Sequence, residues 1–197
     1  MYNKIIFLTI LLNLALINSI KVPHKSPIEN DIIYYTITQY VNDDCTEPYG
    51  TATIISEGVC LGDQNVALST FNEIISVHSA NETTVAIAHY SNENCDQSSQ
   101  KAIVYHDFGV CKNGIIVNAT NGFPEFPSDT FIVTVNSDDC STSLGGSAYE
   151  NDSYDGYFCS NGTPYGQHCI PFVGCKNYAI GQQCSSNDLV SIYCNSS

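Results

Sequence analysis

Three kinds of side chain in this sequence could do chemistry: ten cysteines, five histidines and twenty carboxylates. The cysteines are 45, 60, 95, 111, 140, 159, 169, 175, 184 and 194. Their number is even, and no CxxC or HxxxH brings thiols and imidazoles to the short spacing of a structural zinc knuckle. In an oxidising compartment such a set reads as five disulfides with no thiol left to act as a nucleophile. The histidines are His24, His78, His89, His106 and His168. No HExxH, GxSxG or phosphate loop accompanies them. His89 and His106 lie in neighbouring strand-like runs and could approach in space, as ordinary strand histidines or as pH-sensitive surface groups. Two carboxylates at a suitable separation would suffice for a glycoside hydrolase, yet nothing singles out a pair, and there is no tryptophan to line a sugar cleft. No catalytic residue and no cofactor is therefore assigned.

The compartment is read from the N-terminus. Lys4 precedes an apolar stretch from Ile5 to Ile17, broken only by Thr9 and Asn13. This is the pattern of a signal peptide over residues 1–19, too short to span a bilayer comfortably as an uncleaved anchor. No second apolar run of spanning length follows, and the C-terminal DLVSIYCNSS lacks a lipid-anchor tail. Sequons stand at Asn81, Asn118, Asn151, Asn161 and Asn195, each marking an exposed loop where a glycan is expected. The expected destination is outside the cell or an endolysosomal lumen.

Charge narrows the partners. Twenty acidic residues face six lysines and no arginine, a net charge of −14. Such a surface repels nucleic acid and anionic membranes, and without arginine it has no bidentate phosphate clamp. The acidic surplus suits solubility in an acidic lumen; calcium or a basic partner would be the other use of it.

The elements that must position these residues are strands. YYTITQYVNDDC ending at Cys45, VAIAHYSNENC ending at Cys95 and FIVTVNSDDC ending at Cys140 align as a threefold repeat. Each is an alternating run followed by an acidic or amide stretch and a cysteine, with a second cysteine at 60, 111 and 159. At 85–90, Val85, Ile87 and His89 share one face, and Ala86, Ala88 and Tyr90 the other. Asn121-Gly122 and Gly145-Gly146 read as sharp turns, and Pro124 and Pro127 interrupt pairing between the second and third units. One segment, from Asn65 to Ile75, has helical spacing but could equally be a strand from Phe71. The predicted fold is all-β: a disulfide-stapled antiparallel sandwich or Greek-key repeats over residues 20–158, in units of about 33–80, 81–125 and 126–160. A cysteine-rich tail over 159–197 is expected to pack on it. The tail is short of aliphatics but rich in glycine and tyrosine, and Tyr154, Tyr157, Tyr165 and Tyr178 are its candidate binding face.

Ten cysteines allow on the order of a thousand connectivities. If the repeats bond alike, the pairs are Cys45–Cys60, Cys95–Cys111 and Cys140–Cys159, with 169–175 and 184–194 as the local option in the tail. A simple hairpin would place the second cysteine of each unit a strand length from the first, so this pairing requires the second strand to fold back.

Tyr40-Val-Asn-Asp-Asp-Cys45 and Tyr90-Ser-Asn-Glu-Asn-Cys95, with Val135 before Cys140, resemble the opening of a βγ-crystallin-type Greek-key motif. Cysteine here replaces the second aromatic, and Glu47, Gln97 and Thr142 stand where the motif has glycine. The resemblance implies paired Greek-key sheets and calcium, for which Asp138-Asp139-Cys140-Ser141-Thr142-Ser143 carries the matching residue types. Taken together, the sequence predicts a secreted, non-catalytic glycoprotein that binds an extracellular protein or glycan. The alternative is a small secreted hydrolase or antimicrobial factor using carboxylate catalysis.

Overall fold

The structure, a computed structural model, describes residues 32–62, 74–92, 94–150, 156–172 and 174–196. The signal segment, Lys21 to Asp31, most of the 65–75 segment, Asn151 and Tyr154 lie outside the described residues. Among the described residues thirteen strands form three antiparallel sheets, as the alternating sequence predicts. β1 (Ile33–Tyr40), β2 (Pro48–Ser56), β7 (Ile115–Asn121), β8 (Phe131–Asn136), β9 (Ser143–Tyr149) and β13 (Val190–Cys194) make a six-stranded sheet in the order β13-β8-β9-β2-β1-β7. β3 (Cys60–Leu61), β4 (Ile74–Ala80), β5 (Thr84–Tyr90) and β6 (Gln100–Asp107) form a four-stranded meander. β10 (Tyr157–Ser160), β11 (Thr163–Ile170) and β12 (Gly174–Ala179) form a third, three-stranded sheet.

The two larger sheets pack face to face. Tyr35, Ile37, Ile55, Phe131, Val133 and Tyr149 of the first meet Ile75, Val85 and Ile87 of the second in one buried cluster. Alternation along each strand supplies this: Val85 and Ile87 point into the core, and His89 shares their face by the register of β5. The tail is split between sheets. Its first part makes β10–β12, while β13 joins the edge of the six-stranded sheet against β8.

The threefold repeat resolves into three hairpins of one construction. β1–β2, β5–β6 and β8–β9 each turn through a loop in which the cysteine takes a left-handed conformation, with φ of 55°, 51° and 58° at Cys45, Cys95 and Cys140. In each, the cysteine N–H donates to the carbonyl three residues back, on Asn42, Asn92 or Ser137, at 3.2, 3.4 and 2.8 Å. The side-chain oxygen of that same residue then accepts a backbone N–H further on, from Thr46, Asp96 or Thr142. Short polar residues with an oxygen one or two bonds from Cβ are the ones able to do this, which explains the shared Asn/Ser-x-x-Cys pattern.

Because these are plain hairpins, the local disulfides expected from the repeat do not form. Each loop cysteine is a strand length from its own unit's second cysteine, beyond bonding reach. The pairs are instead Cys45–Cys111 and Cys140–Cys184, which join loop to loop, Cys60–Cys95, which ties β3 to the β5–β6 loop, and Cys159–Cys194, which ties β10 to β13. Cys169–Cys175 is the local pair, because these residues face each other directly across β11 and β12. A second correction concerns Gly145 and Gly146. They make no turn but lie inside β9, between β2 and β8. A Cβ on Gly145 would stand 2.6 Å from the Ile54 carbonyl oxygen and 2.9 Å from Leu61 Cδ1, so the glycines permit close backbone approach. The 65–75 segment ends in strand, since Ile74 and Ile75 open β4.

Candidate functional site

The outer face of the six-stranded sheet, opposite the inter-sheet core, carries a second apolar cluster of Tyr34, Ile54, Ile132 and Ala148. The segment between β7 and β8 crosses it, laying Phe123 edge-on to Tyr34 at 5.4 Å and Phe126 against Phe123 at 6.5 Å. Pro124 and Pro127 keep this segment out of the ladder. It is held down by Asn195 at the end of β13, whose Nδ2 donates to the carbonyls of Phe126 and Pro127, while backbone bonds join Asp129 and Thr130 to Asn195.

Beside the two phenylalanines the middle of the face carries small side chains, between Ile116 on one flank and Ile132 on the other. Thr38, Ala52 and Ala148 are register partners across β1, β2 and β9, and Thr36 pairs with Asn118 of β7. The outcome is a cleft of about 600 Å³ with an alanine and threonine floor and the Phe123–Phe126 segment as one wall. Glu125 and Glu150 also line it, and no lysine or histidine does. The Thr36 hydroxyl is buried there without a hydrogen-bond partner. Hydroxyls, amides, two carboxylates and aromatic rings on one concave surface match what a polar ligand with one apolar face requires.

The sequons fall in different settings. Asn81 caps the β4–β5 turn, its Oδ1 accepting the N–H groups of Thr83 and Thr84 at 2.9 Å each. Asn161 sits in the exposed β10–β11 turn with φ of 50°. Asn118 is exposed, and both it and Thr120 line the cleft, so a glycan there would stand at its margin. Asn195 uses its amide to anchor the cleft wall.

The tyrosines predicted as a binding face divide by strand parity. Tyr157 and Tyr178 share one side of the three-stranded sheet, aligned through Gly166, and Tyr165 takes the other side, stacked on Phe158 at 5.6 Å. Tyr157 turns into the core against Phe131 at 5.8 Å, whereas Tyr178 is half-exposed. At the tip of the β11–β12 hairpin, Phe172 is fully exposed. Residues 156–187 contain no Asp or Glu, in contrast to the rest of the chain.

His89 and His106 do come together. They lie on the core-facing side of β5 and β6 and, with Lys112, line a second pocket of about 230 Å³ between the two packed sheets. Burial, then the charges of Lys112 and His89, push the His106 imidazole below the usual histidine range. The presence of Lys112 could not be read from sequence, because it comes from the loop after β6.

Metal ligation finds little support in this geometry. Among the described residues no group of three or more His, Cys, Asp or Glu could hold an ion. In the loop with calcium-type residues, Asp139 Oδ1 accepts from the Ser137 hydroxyl at 2.6 Å and from the Ser141 hydroxyl and N–H at 2.7 and 3.0 Å. These bonds hold its carboxyl at about 2 and use it as a turn cap. No helix among the described residues is long and apolar enough to cross a membrane.

Residues 3–196 match the family model of counting factor-associated protein A/B/C. The chain belongs to that family. The match covers the hairpins, the cleft and the cysteine-rich tail alike. No curated protein and no solved structure matches the chain, and the βγ-crystallin-type resemblance is not confirmed. What the sequence showed there is the shared Asn/Ser-x-x-Cys turn of three hairpins.

Proposed function

We propose that this counting factor-associated protein is a secreted, non-catalytic glycoprotein that binds an extracellular glycan in the cleft on the outer face of its six-stranded sheet. The observation that carries this reading is the composition of that cleft. Thr36, Thr38 and Thr120 offer hydroxyls for hydrogen bonds, and Phe123 and Phe126 offer an apolar wall. Sugars present both kinds of surface, and rings of this sort pack on their C–H faces. The acidic chain and acid-lined cleft make a neutral or amine-bearing glycan a better fit than a sulfated or phosphorylated one. The signal segment and exposed sequons support an oxidising, extracellular or endolysosomal location.

A specific observation favours the hydrolase as a second reading: Glu125 and Glu150 both line the cleft, and two carboxylates are what glycoside hydrolysis needs. A glycan array with the secreted protein, run beside Glu125→Gln/Glu150→Gln, separates the two. Binding without turnover in either protein supports the module. Release of reducing ends by the wild type, lost in the double variant, replaces it with the enzyme. No retention on any glycan refutes the glycan reading and leaves an extracellular protein as partner.

A further inference from the structure

We infer that the pocket between the two packed sheets binds a small amphiphilic carboxylate, with its apolar body against the aliphatic walls and its carboxylate at Lys112, His89 and His106. This site is separate from the outer cleft and does not depend on the reading given to it.

The walls come from both sheets: Ile37 and Ile115 on one side, and Ile75, Ile87 and Val104 on the other. The other described residues lining the pocket are His89, His106, Lys112 and Asn113. In a chain with twenty carboxylates, six lysines and five histidines, this combination is unexpected. Three of the eleven basic side chains gather at one apolar cavity that no acidic residue lines among the described residues.

His106 supplies the second observation. It is 6 % exposed, and its buried Nδ1 has no hydrogen-bond partner. Buried polar atoms are nearly always satisfied, so an imidazole that lines the cavity with one nitrogen unpartnered is the group there most in need of a ligand. A neutral imidazole carries one N–H and one acceptor nitrogen, and its tautomer can adjust to place the N–H toward an anion. Lys112 supplies the countercharge. Its Nζ donates to the Tyr105 carbonyl at 2.8 Å, which holds the ammonium beside the pocket and leaves two further protons for a ligand.

Access lies past Lys112 and Asn113, which are exposed on the loop between β6 and β7. Cys45–Cys111 ties that loop to the β1–β2 turn, so the mouth is fixed rather than loose. The cavity falls below the size range of drug-sized ligand sites and has room for roughly ten non-hydrogen atoms at protein-interior density. A short aliphatic monoacid or a single-ring carboxylate fits these limits.

The test uses the full secreted protein titrated with hexanoate and benzoate, with hexanol and benzyl alcohol as uncharged counterparts of the same shape. The expected result is saturable one-to-one binding of both acids, with movement of the His106 Cε1–H resonance. The alcohols should bind at least tenfold more weakly. Lys112→Gln, a change at an exposed side chain, should weaken the acids about tenfold and leave the alcohols unchanged. Absence of saturable acid binding, equal affinity for acids and alcohols, an unmoved His106 resonance, or indifference to Lys112→Gln would each overturn the proposal.

Discussion

The two faces of the six-stranded sheet are built from alternate residues of the same strands, yet they meet opposite fates. On one face Tyr35, Ile37, Ile55, Val133 and Phe131 are large, apolar and covered by the four-stranded sheet. On the other, the large side chains are fewer, and Thr38, Ala52 and Ala148 run side by side between Ile116 and Ile132. The backbone is equally regular on both sides, so side-chain volume alone decides where the sheet is sealed and where it is hollow. A single chain segment, 122–130, is the only cover the outer face receives among the described residues, and its grip depends on Asn195.

The largest expected effect comes from emptying the sealed face. Phe131→Ala removes a ring that meets both Tyr149 and Tyr157 at about 6 Å. It should cost about 3–5 kcal/mol, read as a fall in the denaturation midpoint. Thr38→Ala on the hollow face should stay within about 0.5 kcal/mol of wild type. Equal costs at the two positions would erase the distinction between the faces.

Asn195 sharpens the comparison at the cleft wall. Its Nδ2 donates to two carbonyls of the covering segment, so it has no proton to spare for a glycosidic bond in the folded state. Peptide mapping of the secreted protein should find glycan at Asn81 and Asn161 and a bare Asn195. Asn195→Ala should cost about 1–2 kcal/mol through the lost bonds. A fully occupied Asn195 would mean that the segment is not held in this way.

A smaller effect belongs to the sealed side. The His106 proton affinity is lowered in the fold relative to the unfolded chain, chiefly by burial and then by Lys112 and His89. The unfolded state therefore takes up the proton first as pH falls below about 6.5. The contribution of a neutral His106 is complete above that pH and is lost as pH drops through the lowered folded value. The melting temperature should decline between pH 7 and pH 5, and His106→Phe should flatten that decline. A profile unchanged by the substitution would show that His106 is not the group responsible.

Alternation made the strands legible, down to the shared face of Val85, Ile87 and His89, and the Asn/Ser-x-x-Cys repeat marked three hairpins. The direct partnership of Cys169 and Cys175 was legible too, because seven residues can form one tight hairpin. The other four disulfides were not. A repeat specifies the local turn, but the partner of a cysteine at its tip depends on which distant loop the sheets bring alongside. Gly145-Gly146 misled for a related reason: the same residue that permits a turn also permits two backbones to approach. The cleft was invisible because its floor consists of ordinary threonines and alanines. Only strand register aligns them, and long-range bonds to Asn195 hold their wall in place.

The proposal that the cleft binds a glycan is tested most directly by filling the cleft. Thr38→Trp places an indole on the floor of the hollow face, where the sheet has room for it. The wild-type protein should bind its best array glycan saturably, and Thr38→Trp should reduce that affinity at least tenfold at an unchanged melting temperature. Undiminished binding by a fully folded Thr38→Trp would place the ligand elsewhere and contradict the assignment of this face.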